Sequence, residues 1–296
     1  MPLVFAAIAP HGSIAIREAC APGEEEVAAV TQRGMKRLGE LFAASRANSV
    51  VIATPHNVHV SGALGVVVSG RVAGALSGAP PEIALDLACD SSLAWDVLAA
   101  FGEAGLPSVG ISFGGNDPSL AVAPMDWGTL IPLWFMGGRK KPPAGIVVVT
   151  PARDLPPEAH VRAGIAIAKV AAASRRRVAF IASADHGHAH DADGPYGFDP
   201  AAREYDQLVC DLVKNDELVR LSDIAPDLVE RAKADSWWQM LMLSGATSRG
   251  WRGHFLSYEA PTYFGMLTAA FRPLRGASRG SASRPGKRIR RRTPAR

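Results

Sequence analysis

Six of the chain's eight histidines fall in three short segments, and each segment follows a run of apolar residues. Pro10-His11-Gly12 closes residues 3–9. Pro55-His56-Asn57, with His59 shortly after, closes residues 49–54. Asp185-His186-Gly187-His188-Ala189-His190 follows residues 178–183. A single such histidine would ordinarily be a structural residue, but three strand ends delivering imidazoles to one place point to a shared site. Neutral imidazole is the commonest metal ligand, and two of them with one carboxylate leave open positions on a divalent ion such as iron(II). The acid is harder to assign. Asp126 begins Asp-Trp-Gly-Thr, Asp185 precedes the histidine cluster, Asp235 lies in the apolar helical stretch AKADSWWQMLMLSGA, and Glu259 lies in LSYEAPTYFG. Each could equally be a helix cap, a turn residue or an ion-pair partner, and spacing alone does not choose among them.

For these histidines to meet, their strands must run side by side. Residues 3–9, 49–54, 64–69, 107–113, 145–150 and 178–183 are short Val- and Ile-rich runs without polar alternation, the pattern of strands covered on both faces. Between them lie helical patterns at 24–45, 91–104, 156–174, 200–215 and 226–243, the third opening with proline in its first turn. Alternating strands and helices predict an α/β fold: a single domain over 1–274 with a mostly parallel central sheet covered by helices on both faces. Ligands of such folds sit at the carboxyl ends of the strands, where the three histidine segments fall.

The formal charge of +4 does not point to nucleic acid, because the basic residues concentrate in the final stretch. Residues 275–296 are Gly, Ser, Pro and Arg without apolar periodicity and read as a basic disordered tail; the remaining body is slightly acidic. Cys20, Cys89 and Cys210 are odd in number and widely spaced, so neither a disulfide framework nor a zinc–thiolate site is expected. With no basic leader and no apolar run of membrane-spanning length, a cytoplasmic protein is expected, with no membrane partner. Neither GxGxxG nor GxxxxGK[ST] occurs, and Gly114-Gly115 reads as a turn.

Taken in order, IAPHGS at His11, ATPHNVHVSG at His56, MDWGTLIPLWFM after Met125, IASADHGHAHDADGPYGFDP after Ile181 and RAKADSWWQMLMLSGAT resemble the class III extradiol ring-cleavage dioxygenases, the family of the protocatechuate 4,5-dioxygenase catalytic subunit. The resemblance runs from about residue 3 to about residue 272. It implies iron(II), ahead of zinc or manganese, held by His11, by His56 rather than His59, and by an acid. The acid position falls on Asp235, where relatives carry glutamate, with Glu259 in reserve. It gives the acid–base role to His188, with His186 beside it as a substrate contact, and puts Trp127 at a substrate-contacting position; His59, on the same extended segment as His56, is a further candidate contact. Where relatives commonly read Asp-His-Gly, this chain has Trp127, either an aromatic wall or a lost contact. The Trp237-Trp238 pair reads as core packing.

The activity so implied is insertion of O2 into a catechol or 2-aminophenol type ring to give a semialdehyde. The partners are a small aromatic substrate and O2, no specific nucleic acid, and a homo-oligomer or small partner subunit. Two other readings share the residues: a non-enzymatic metal or peptide binder of the same fold, and a zinc-dependent hydrolase whose open position holds water.

Overall fold

The apolar runs become strands because they have no face that prefers water. In the computed structural model, which describes residues 3–76, 83–247 and 250–274, the elements follow in order. They are β1 (Phe5–Ala9), α1 (Ala29–Ser45), β2 (Ser49–Ala53), β3 (Leu64–Val67), β4 (Arg71–Ala75), β5 (Ala84–Ala88), α2 (Ser91–Glu103), β6 (Ser108–Ile111), β7 (Val122–Pro124), α3 (Trp127–Leu133), β8 (Gly145–Thr150), α4 (Pro157–Ala173), β9 (Val178–Ser183), α5 (Ala201–Lys214), α6 (Pro226–Arg231), α7 (Trp237–Ala246), β10 (Trp251–Glu259) and β11 (Met266–Pro273). The basic tail lies outside the described residues.

Eight strands form one sheet in the order β10-β11-β1-β9-β2-β8-β3-β6. Its centre is parallel: β1 pairs with β9, β9 with β2, and β2 with β8. Every residue of these four strands is buried. Alternate side chains go to opposite faces, as the two-residue period of a strand requires. Ile8, Val51, Val149 and Phe180 pack with α2, α4, α5 and α7. Phe5, Ile52, Val148 and Ile181 pack with Met35 and Leu38 of α1 and Leu130 of α3. Each fully buried Ile or Phe contributes roughly 1.5–3 kcal/mol over an exposed one. The α/β class and the helix-covered, mostly parallel sheet are as read from the sequence.

Three features were not. A small sheet, β5-β4-β7, lies beside the main one. The hairpin β10–β11 adds antiparallel to β1, so the histidine-bearing strands sit in the interior of the sheet. The long helix expected over 226–243 is broken. After α6 the N–H of Lys233 bonds to the carbonyl of Glu230 and that of Ala234 to the carbonyl of Val229, with Lys233 left-handed at φ 54°. This is the Schellman closure of a helix end, with lysine in the position glycine usually takes. Asp235 therefore stands in the turn before α7 and not on a continuous helix.

The helix that follows that turn is packed through glycines. A methyl group on Gly164 of α4 would lie 1.9 Å from the carbonyl oxygen of Met242, and one on Gly245 of α7 would lie 2.0 Å from that of Val161. The two backbones thus touch reciprocally, which fixes α7 and with it the approach of Asp235 to the sheet edge.

Candidate metal centre

His11 follows β1, His56 follows β2, and the 185–190 segment follows β9, which lies between them in the sheet. The three C-terminal strand ends are neighbours, and Asp235 reaches them from the α6–α7 turn. His11 Nε2 and His56 Nε2 are 2.9 Å apart. Asp235 Oδ2 is 3.4 Å from the first and 3.1 Å from the second. One ligand atom from each residue lies within 4.8 Å of the others, a cluster able to hold a metal ion.

The supports of the cluster decide its chemistry. Ser183 Oγ, at the end of β9, donates to the carbonyl of Gly128 and lies 2.9 Å from His11 Nδ1. Its one hydrogen is engaged, so it accepts from Nδ1–H, and Nε2 is the His11 nitrogen that faces the cluster. The His11 backbone N–H donates to Asp185 Oδ1 at 2.9 Å, and Asp185 Oδ2 is 3.5 Å from His11 Nε2. On the other side, the His56 N–H meets Thr54 Oγ1, and the threonine donates to Asp126. Asp126 in turn caps α3 through the Thr129 N–H at 2.9 Å, so this acid is an N-cap tying β2 to α3.

Charge in the cluster is strongly coupled. Burial alone would lower the His11 pKa, but Asp185 and Asp235 overcome it and raise it to about 9. Burial likewise works to raise the Asp235 pKa, and the facing His11 and His56 hold it well below the usual carboxylate range. Asp235 Oδ1 is buried without a hydrogen-bond partner, which ordinarily costs roughly 1–3 kcal/mol or more for a charged group. Two imidazole nitrogens turned toward a buried, ionised and partly unsatisfied carboxylate fit a divalent cation.

His56, Asp235 and His188 line one cavity of about 540 Å³, with the buried His11 behind them. The Nδ1–H of His188 donates to the carbonyl of His186 at 2.8 Å, which leaves Nε2 free as an acceptor. Phe264 stacks on its ring at 5.5 Å between centroids, and Tyr196 meets it edge-on at 5.8 Å. Asp206 of α5 steadies the segment from beneath, accepting from the Gly187 N–H and from His190 Nε2.

The other expected contacts fall elsewhere. Trp127 does not line the cavity; it is half-exposed and packs on the His56 ring at 4.3 Å between centroids. His186 is fully buried, with Nδ1 2.9 Å from Ser236 Oγ, because Asp185 and His186 turn inward where His188 turns out. His59 is exposed and outside the cavity. Glu259 stands on β10, where its carboxylate accepts from the Thr31 N–H, and it is not part of the His11–His56–Asp235 cluster. Trp237 is nearly buried and donates to the carbonyl of Leu221, and both it and Trp238 contribute to the cavity wall. Sequence reading missed Ser183, the support of His11. Ser183 carried a signal, as the last residue of the strand before Asp185.

The chain belongs to the family of the catalytic LigB subunit of aromatic ring-opening dioxygenases, whose family model matches residues 5–269. A curated relative, Protein CA_C1420 of Clostridium acetobutylicum, is 25% identical over 253 residues, covering 84% of this chain and 53% of that protein. The chain thus spans about half the length of the curated relative it matches. Among solved structures, the uncharacterized protein JW3007 from Escherichia coli K12 shares the fold. Its TM-score is 0.59 at 15% identity, over 90% of this chain and 99% of that one. Among the described residues, no helix is long and apolar enough to cross a membrane.

Proposed function

We propose that this protein is a non-haem iron(II) extradiol dioxygenase, inserting O2 into a catechol or 2-aminophenol type ring to give a ring-opened semialdehyde in the cytoplasm. The observation that carries this reading is the convergence of His11, His56 and Asp235 beside a cavity whose wall bears His188. His11, His56 and Asp235 are the metal ligands. Iron(II), when bound, supplies positions for the ring's two adjacent heteroatoms and for O2, and acidifies the ring hydroxyl.

The chain's own residues do the rest. Ser183 holds the Nδ1 side of His11, so that Nε2 is the nitrogen turned toward the metal position. His188, its Nδ1 committed to the His186 carbonyl, accepts the ring hydroxyl's proton at Nε2 and returns it as the ring opens. Phe264 and Tyr196 hold the His188 plane, which fixes the direction of that transfer. Trp127 covers His56 from solvent and limits water at the cluster.

Oxygen uptake by anaerobically purified, iron(II)-loaded protein, across catechols and 2-aminophenols, tests the proposal. Uptake with a yellow semialdehyde, lost in His11→Ala and His188→Ala, is the expected result. Stoichiometric iron with no uptake on any compound would sink it.

A further inference from the structure

Gln239 is fully buried in the first turn of α7, a helix whose other residues are apolar as far as Ser244. Its Nε2 donates to the carbonyl of Asp235 at 2.8 Å and to the carbonyl of Ser183 at 3.0 Å. Both partners can only accept, so the amide nitrogen is the atom that faces them. Oε1 is buried without a hydrogen-bond partner. A methionine would fill nearly the same volume without that desolvation cost, so the two donors explain the residue and packing does not.

The two carbonyls belong to the two sides of the metal cluster. Ser183 ends β9, and its Oγ accepts from His11 Nδ1. Asp235 stands outside α7, whose first helical bond runs from the Met240 N–H to the Ser236 carbonyl, so the buried Asp235 carbonyl takes its donor from a side chain. One serine thus holds His11 through its hydroxyl and, by way of Gln239, the backbone of Asp235. Ser236 Oγ, 2.9 Å from His186 Nδ1 and from the Tyr205 hydroxyl, anchors the turn as a whole. What Gln239 adds is the register of the Asp235 backbone against the strand end. We propose that Gln239 is a positioning residue of the metal centre: its amide ties Asp235 to β9, so that the carboxylate stands 3.4 Å from His11 Nε2 and 3.1 Å from His56 Nε2. The inference rests on His11, His56 and Asp235 being the ligands, and it does not depend on ring opening.

The test is cobalt(II) binding by the full chain, with a competing chelator to read affinity and visible absorption of the bound ion to read its geometry. The unfolding midpoint of the metal-free protein is followed in parallel. Gln239→Met removes both donors at nearly constant volume. Gln239→Asn keeps the amide on a side chain one methylene too short to reach both carbonyls. Each is expected to weaken cobalt(II) binding roughly 10-fold or more and to shift the absorption bands. Leu243→Ala, one turn further along α7, should lower the midpoint at least as far while leaving affinity and spectrum unchanged, as a purely structural role for Gln239 would also do. Affinity is taken per folded chain, well below each midpoint, so partial unfolding does not mimic the loss. Unaltered affinity and spectrum in both Gln239 variants, or the same changes in Leu243→Ala, would overturn the proposal alone. Cobalt(II) bound by no form of the chain would overturn the ligand assignment and this proposal with it.

Discussion

Ser183 Oγ stands 2.9 Å from His11 Nδ1 while its own hydrogen goes to the carbonyl of Gly128, so one serine hydroxyl sets which nitrogen His11 offers to the cluster. Ser183→Ala should leave the Gly128 carbonyl short of a donor, costing roughly 1–3 kcal/mol of stability, and should weaken metal binding roughly 10–100-fold. Thermal unfolding and competitive chelator titration read the two effects separately; unchanged metal affinity would remove Ser183 from the site.

Asp235→Asn keeps the shape of the side chain but removes its charge. Metal content after dialysis should fall well below one per chain, because the two imidazoles alone are a weak site. Asp235→Glu should retain weaker binding, since the longer acid must fit a position that is buried and close to both histidines. Full metal occupancy in the asparagine variant would count against Asp235 as a ligand.

His188→Ala should bind iron at the same stoichiometry and lose roughly 10²–10⁴ in oxygen-uptake rate, the usual scale of general acid–base assistance. An oxygen electrode together with metal analysis separates the two. A loss of metal instead would place His188 in the ligand set.

Gly245→Ala would push a methyl group against the Val161 carbonyl at 2.0 Å, and Gly164→Ala would do the same at Met242. Both contacts are with backbone, so relief requires moving α7. A stability loss of roughly 1–3 kcal/mol is expected, with weaker metal binding because the Asp235 turn moves too. Urea unfolding and metal titration would show it, and wild-type values for both would mean that α4 and α7 part without consequence.

His160 is fully buried on α4, and burial lowers its pKa from 6.5 to about 4. The unfolded chain binds the proton more readily, so stability is complete above pH 6.5 and falls as pH drops toward 4. The loss is up to about 3 kcal/mol by the linkage relation. His160→Gln should flatten that part of a stability-against-pH profile; an unaltered slope would assign it to other groups.

Periodicity and residue type carry far into this fold. Strands without polar alternation could only be covered on both faces, and histidines closing three of them could only lie at a strand-end edge. His11, His56 and His188 were therefore legible as a group, and the motif order was enough to name the family. The acid was less legible, since Asp126, Asp185, Asp235 and Glu259 look alike in a one-dimensional string. Asp126 proves to be the cap of α3, and Glu259 faces the start of α1.

What the sequence determined by itself was local: which segments bury themselves, and which residue types end them. The tertiary structure decided the rest, because hydrogen-bond direction and side-chain facing depend on partners far away in the chain. The Schellman turn at Lys233 brings Asp235 off the helix to within 3.1 Å of His56. Ser183 orients His11 across 172 positions. A pattern of residue types encodes burial, but only a packed fold assigns each polar atom its partner.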